Sequence, residues 1–151
     1  MAAGAYDMAV RYTRERRQFG APLGAFQLVQ ERLARMQAQI QAMWLVCWRL
    51  TKLLDEGRMT HEQASLAKAW TTARGREAIA LARETLGGNG VLVDFLTAKA
   101  HADVEAIYTY EGTYDVNVLV AGRGITGVAA IKPAAAAAAA ASSGAGKGGK
   151  H

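Results

Sequence analysis

The sequence predicts an all-α domain, an antiparallel (up-and-down) four-helix bundle with short additional helices, and three observations carry that expectation. Ala, Leu, Met, Gln, Arg and Glu dominate a chain that is 51% apolar, and these residues lose least freedom in a helix. Only two prolines occur, and β-branched runs are scarce. Apolar residues recur at three- and four-residue steps in segments separated by short breaks, so neighbouring helices can bury their stripes against one another. At 151 residues the chain has the size of one ordinary domain with room for a core.

The first helix is expected over residues 2–18, with Tyr6, Ala9, Val10 and Thr13 near one face. Gly20, Pro22 and Gly24 then mark a turn. A long helix follows over residues 25–56, where Leu28, Val29, Leu33, Met36, Ile40, Met43, Trp44, Cys47, Leu50 and Leu54 keep helical spacing. Gly57 stands where a helix end favours a left-handed residue. Thr60 is an N-cap candidate and Gln63, three residues on, completes a capping-box pattern. That helix should turn Ala64, Leu66, Ala67, Trp70, Ala73, Ala78, Ile79 and Leu81 toward a core and end near Leu86, at the glycine cluster Gly87-Gly88-Asn89-Gly90. A shorter helix is expected over residues 94–105, a break over 108–112, and a last helix over 113–127 with Val116, Leu119 and Val120 as its apolar side. The folded domain is therefore residues 1–131. Residues 132–151, with Pro133, an alanine run and a Gly/Ser/Lys mixture, lack the apolar bulk for a core and are expected to be a disordered tail.

Composition excludes several functions. The formal charge is +5, but three lysines (Lys132, Lys147, Lys150) lie beyond residue 131, leaving +2 for residues 1–131. So small a surplus does not argue for nucleic-acid binding by the folded part. Cys47 is the only cysteine, so neither an intrachain disulfide nor a cysteine-rich metal site can form, and its neighbours Trp44, Leu45, Val46 and Trp48 suggest a buried, inert thiol. Trp44 and Trp48, four residues apart, share a face and read as core. His61 and His101 lack the i, i+4 partners of helical metal ligands, so no metal is expected. Ser142 and Ser143 lie in the low-complexity tail with no base near them in sequence, which argues against a serine hydrolase. No stretch reads as a membrane span, and the arginine-rich start is interrupted by Asp7 and Glu15, unlike a transit peptide. The reading is a soluble cytoplasmic protein, or a mitochondrial matrix one if the source is eukaryotic.

Three clusters could carry chemistry, and each has a plainer explanation. Arg14-Glu15-Arg16-Arg17-Gln18-Phe19-Gly20 could bind an anion through guanidinium groups and stack a ring on Phe19, or could be a solvated helix end. Leu86-Gly87-Gly88-Asn89-Gly90 could let a ligand approach the backbone, or could simply stop a helix. In Tyr108-Thr109-Tyr110-Glu111-Gly112-Thr113-Tyr114-Asp115, Glu111 could be a base desolvated in an apolar cleft, or an acid placed ahead of a helix that Thr113 or Asp115 caps. Residue chemistry alone leaves all three open.

Taken jointly, an Arg-x-x-Phe-Gly segment (Arg16 to Gly20), a Leu-Gly-Gly-Asn-Gly loop (Leu86 to Gly90) and Tyr-Glu-Gly-Thr (Tyr110 to Thr113) before the final helix resemble the C-terminal helical domain of the acyl-CoA dehydrogenase family. The likeness covers roughly residues 5–130. Glu105-Ala106, Thr109 through Thr113, Asp115, Gly122-Arg123 and Ile125-Thr126-Gly127 look most like glutaryl-CoA dehydrogenases. The resemblance implies Glu111 as the base that removes the α-proton of an acyl-CoA thioester while a hydride passes from the β-carbon to FAD, giving a 2-enoyl-CoA. It sets Arg16, Gln18 and Phe19 against the FAD pyrophosphate and adenine of a neighbouring subunit, and Glu84, Gly87 and Gly88 by the adenosine end. Thr113 and Asp115 would contact FAD; Tyr110 and Gly112 would flank the thioester. It further implies electron-transfer flavoprotein as acceptor, loss of carbon dioxide from the enoyl product if glutaryl-CoA is the substrate, and a homo-oligomer, or a hetero-oligomer with a chain supplying the family's N-terminal helical and middle β-domains. Gln18 and Glu84 depart from the threonine and glutamine that many members carry there. The alternative is a non-catalytic helical bundle that mediates oligomerisation or partner binding.

Overall fold

The computed structural model describes residues 1–130; the expected tail lies outside the described residues. Five helices form: α1 (Ala2–Glu15), α2 (Gln27–Asp55), α3 (His61–Thr85), α4 (Thr97–Thr109) and α5 (Tyr114–Thr126). Between α1 and α2 runs a minimal hairpin, β1 (Arg17–Gln18) antiparallel to β2 (Ala21–Pro22), with Arg17 opposite Pro22 and Gln18 opposite Ala21. Three short 3₁₀ turns, Leu23–Ala25, Gly87–Val91 and Val93–Phe95, complete the connections.

Helix α3 is the axis of the fold and packs on all four other helices. Its start is fixed as the sequence indicates: the Thr60 hydroxyl accepts from the Gln63 amide at 3.3 Å, and the Gln63 side chain accepts from the Thr60 amide at 3.0 Å. Side-chain pairings give the directions. Arg35 of α2 meets Glu77 of α3 at 2.6 Å, whereas Leu50 and Leu53 line a cleft with Gln63 and Leu66, so α2 runs antiparallel to α3. Along the other flank, Arg76 reaches Glu105, Lys68 reaches residues 110–112, and Glu62 lies against Gly124. Helices α4 and α5 therefore descend α3 one after the other, as a single fourth helix interrupted at residues 110–113. The expected four-helix bundle is present, with its last member broken.

Alanines make up four of the nine residues of the buried core. Ala5 and Ala9 of α1, Met36 of α2, Ala78, Ile79, Leu81 and Ala82 of α3, Leu86 and Val104 form the buried cluster. It sits in the half of the bundle that α1 covers. With 14 residues α1 is about 21 Å long and α2, with 29, about 44 Å; the start of α1 reaches only as far as a shallow cleft with Met43, Trp44 and Cys47, and beyond it the end of α2 has mainly α3 to pack against. This corrects the expectation for Trp44, Trp48 and Cys47: Trp44 is 69% and Trp48 60% exposed, and Cys47 is exposed too. Leu28, Leu54, Leu66 and Trp70 are likewise exposed. On α5 the expected apolar face holds only in part: Val120 is half-buried, but Val116 and Leu119 are exposed while Asn117 and Ala121 are buried. Small Ala121 allows close helix approach, and Asn117 turns inward because two backbone carbonyls there need a donor.

Boundaries shift at two places. Helix α1 stops at Glu15 rather than Gln18, because Arg17 and Gln18 pair with residues 21 and 22 across the turn at Phe19 (φ +53°) and Gly20 (φ +78°). The two positive φ values match the hairpin turn whose twist suits adjacent strands. Helix α4 begins at Thr97 and runs to Thr109, later than expected at both ends, because residues 93–95 form a 3₁₀ turn that the left-handed Leu96 ends.

Candidate functional site

The break between α4 and α5 is built from backbone demands. A helix that ends leaves carbonyls without partners. Lys68, on α3, supplies them: its Nζ donates to the carbonyls of Tyr110, of Glu111 (2.9 Å) and of Gly112 (2.6 Å). The same ammonium lies 5.6 Å from the Tyr110 ring centroid. Asn117, only 8% exposed, donates through Nδ2 to the carbonyls of Gly112 (2.7 Å) and Thr113 (3.0 Å). The Thr113 hydroxyl accepts from the Val116 amide at 3.3 Å, so Thr113 is the N-cap and Asp115 lies in the first turn of α5. Behind the break, Tyr108 and Tyr114 stack with centroids 5.5 Å apart, and the Arg76 guanidinium lies 4.2 Å from the Tyr108 ring while its Nε bonds Glu105 at 2.7 Å.

With its peptide carbonyls tied inward, the break points the Glu111 side chain outward. Glu111 is exposed in this chain, so the bundle's own packing does not supply the apolar cleft in which its carboxylate could be a desolvated base. The inward turn of the carbonyls is the physical reason. Gly112 follows at φ +94°, with a hypothetical Cβ only 3.1 Å from Asn117 Nδ2, so glycine is required there.

The other two clusters sit at the far end of α3. Asn89 Nδ2 donates to the Tyr12 hydroxyl at 3.0 Å, joining the glycine loop to α1 just before the hairpin. From Lys68 to Thr85 the axis of α3 measures about 25 Å. The hairpin and glycine loop thus share one end of the bundle, and Glu111 stands apart from both. Arg16, Gln18, Phe19 and Glu84 are all exposed, Phe19 to 93%, with its ring edge-on to Phe26 at 6.2 Å. Arg17, part of the same arginine cluster but not among the residues set against FAD, closes the hairpin by donating to the Gly20 carbonyl at 3.0 Å.

The glycines of the loop separate by purpose. Gly87 takes φ +59°, the left-handed turn that ends α3. At Gly90 a Cβ would lie 2.0 Å from the Arg83 carbonyl oxygen, so the backbones touch there. Gly88 has neither constraint: nothing lies within 4 Å of its would-be Cβ and its φ is not positive. The fold does not need glycine at that position, but a ligand lying on the exposed backbone would. Among the described residues, three non-glycine positions have positive φ: Phe19, Leu96 and Glu111. Such conformations cost of order 1–3 kcal/mol and persist where surrounding structure enforces them, often at functional sites. Two of the three are residues the sequence singled out.

The chain is thus a helical bundle whose last helix breaks at a Tyr-Glu-Gly-Thr segment, with an exposed arginine-aromatic hairpin and a glycine loop at the other end. The chain belongs to the acyl-CoA dehydrogenase family: residues 1–126 match that family's C-terminal domain. It is 32% identical over 120 residues to the 3-(aryl)acrylate reductase of Clostridium sporogenes, a match covering 80% of this chain and 32% of the relative. The crystal structure of glutaryl-CoA dehydrogenase from Mycobacterium smegmatis superposes with a TM-score of 0.84 at 32% identity, covering 87% of this chain and 34% of that one. A structure of a glutaryl-CoA dehydrogenase from the same organism in complex with FADH2 gives a TM-score of 0.84 at 30% identity, covering 87% of this chain and 34% of that one. The chain spans about a third of the length of the curated relatives it matches. No helix among the described residues is long and apolar enough to cross a membrane, and no group of three or more potential metal ligands occurs among them.

Proposed function

We propose that this chain supplies the base and one wall of the flavin site in an acyl-CoA dehydrogenase, with glutaryl-CoA the first substrate to test. The observation that carries the proposal is the strained, outward-facing Glu111, held in the break of the last helix by inward-turned carbonyls, in a chain of this family. Gly88, Arg16 and Phe19 fit one edge of a bound dinucleotide: open backbone, an exposed guanidinium for phosphate and an exposed ring for stacking. In this reading Gln18, Glu84 and Gly87 lie along the same edge, Thr113 and Asp115 approach the flavin, and Tyr110 and Gly112 flank the thioester.

FAD, when bound, supplies the acceptor for the hydride that leaves the β-carbon. The Glu111 carboxylate takes the α-proton, and the electron pair of that α-C–H bond becomes the carbon–carbon double bond conjugated with the thioester as the hydride departs with the pair of the β-C–H bond. Burial of Glu111 against a second polypeptide or domain would give the base the dry surroundings such a step needs. The exposed Trp44, Leu45, Trp48 and Leu66 support an association of that kind, whether a homo-oligomer or a complex with a chain that completes the pocket. Electron-transfer flavoprotein is the proposed acceptor of the electrons. Titration with FAD, followed by glutaryl-CoA and shorter thioesters with a dye or flavoprotein acceptor, tests the reading. Glu111→Gln should bind flavin normally and lose at least about 100-fold in turnover. Unchanged turnover would contradict the assignment. The same exposed face favours the second reading, an oligomerisation module, which predicts no flavin uptake and an assembly indifferent to Glu111→Gln.

A further inference from the structure

We propose that Lys68 is the positioning residue for Glu111, an inference that rests on the reading of Glu111 as the base. Its ammonium carries three N–H donors, and the structure directs them to three successive carbonyls: Tyr110, Glu111 and Gly112. All three donors are engaged, which leaves none for a substrate or cofactor. Lys68 therefore acts through the backbone of the base and does not touch the chemistry.

The need for such a clamp follows from the conformation. Glu111 at φ +54° and Gly112 at φ +94° are two consecutive left-handed residues, and the first is unfavourable for any residue with a Cβ. The carbonyls that Lys68 gathers lie just past Thr109, the last residue of α4, where its positive charge also faces the negative end of that helix dipole. Asn117 holds the Gly112 carbonyl from the α5 side, but it does not reach the carbonyls of Tyr110 or Glu111; its other bond goes to Thr113. Lys68 is thus the side chain that fixes the two peptide units on either side of Glu111, and with them the direction in which the Glu111 side chain leaves the bundle. A lysine suits this geometry better than an arginine. Its compact ammonium can gather three convergent carbonyls, whereas the planar guanidinium fork matches side-by-side acceptors.

The test uses Lys68→Met, Lys68→Arg and, in a Cys47→Ser background because Cys47 is exposed, Lys68→Cys alkylated with 2-bromoethylamine or with iodoacetamide. Amide hydrogen exchange is read at residues 110, 116 and 117, whose amides are bonded on either side of the break, and, as a reference for the core, at residues 78–82; kcat and KM are read on the FAD-loaded protein. Lys68→Met should speed exchange at residues 110, 116 and 117, whose amides are bonded across the ends of α4 and α5, at least tenfold with the core unchanged, and should lower kcat about tenfold with KM little affected. Lys68→Arg should fall between Lys68→Met and the parent. Aminoethylation, which restores an ammonium at nearly the original reach, should restore both readouts, and the neutral carbamidomethyl group should restore neither. Exchange at 110, 116 and 117 unchanged in Lys68→Met, or equal rescue by the neutral group, would overturn the proposal. If Glu111→Gln leaves turnover intact, the base assignment fails by itself, while the exchange measurement still decides whether Lys68 holds the break.

Discussion

Replacing Glu111 by glycine should make this protein more stable while removing its proposed base. Glu111 is held at φ +54°, where a side chain bearing a Cβ crowds the following carbonyl. That crowding costs about 1–2 kcal/mol for a non-glycine residue. Glycine removes the clash but brings greater freedom to the unfolded chain, a loss of about 0.5–1 kcal/mol. The net gain should be about 0.5–1 kcal/mol, and for a chain of this size a midpoint of thermal unfolding higher by roughly 1–4 °C. The carboxylate contributes little to the balance, because the side chain is exposed and makes no ion pair among the described residues. Urea unfolding followed by far-ultraviolet circular dichroism measures the difference. Glu111→Ala is the control that isolates strain from charge, since it removes the carboxylate yet keeps the Cβ and should give no gain. If Glu111→Gly is no more stable than Glu111→Ala, the strain assigned to this position is absent and the argument built on it is wrong.

Two further outcomes follow from the site and the bundle. Gly88→Ala should change stability by no more than about 0.5 kcal/mol but weaken FAD binding, whereas Gly90→Ala, which forces a Cβ onto the Arg83 carbonyl, should cost about 3 kcal/mol or more; denaturant unfolding with flavin titration separates them, and equal stability losses would refute the division of the loop. The hydrogen bond from Arg35, with Arg74 beside it, holds the Glu77 carboxyl below the usual carboxylate range. Its contribution is therefore present at neutral pH, above the unfolded-state value, and is lost as pH falls through the lowered folded-state value. Glu77→Gln should cost about 0.5–1 kcal/mol at pH 7 and progressively less in acid, and a difference that stays constant with pH would contradict the assignment.

Helix existence, order and caps were legible because they are local. The Thr60–Gln63 capping box, Thr113 as N-cap and Gly127 as the left-handed C-cap lie where turn chemistry places them. What local pattern could not show was which apolar residues find a partner. Trp44, Trp48, Leu66 and Leu119 have helical spacing and bulk, but the short α1 and the broken fourth helix leave their faces uncovered in this chain. Burial fell instead to alanines at Ala5, Ala9, Ala69, Ala78, Ala82 and Ala121, where close helix approach matters more than hydrophobic bulk. The candidate base was legible through the Tyr-Glu-Gly-Thr motif. Lys68 and Asn117 were not, because each is one polar residue in a helix until folding brings it to the carbonyls of residues 110–113. The positive φ values at Phe19 and Glu111 were hidden for a related reason, since sequence suggests such angles readily only at glycine or asparagine.

Proton abstraction can be watched without oxidation by supplying a thioester that has α-hydrogens but none on its β-carbon. In deuterium oxide, the FAD-loaded protein should exchange the α-hydrogens of 3,3-dimethylbutanoyl-CoA, followed by mass spectrometry, and Glu111→Gln with the same flavin content should reduce that exchange to the uncatalysed rate. Exchange that proceeds equally in both proteins would show that the carboxylate at position 111 is not the base.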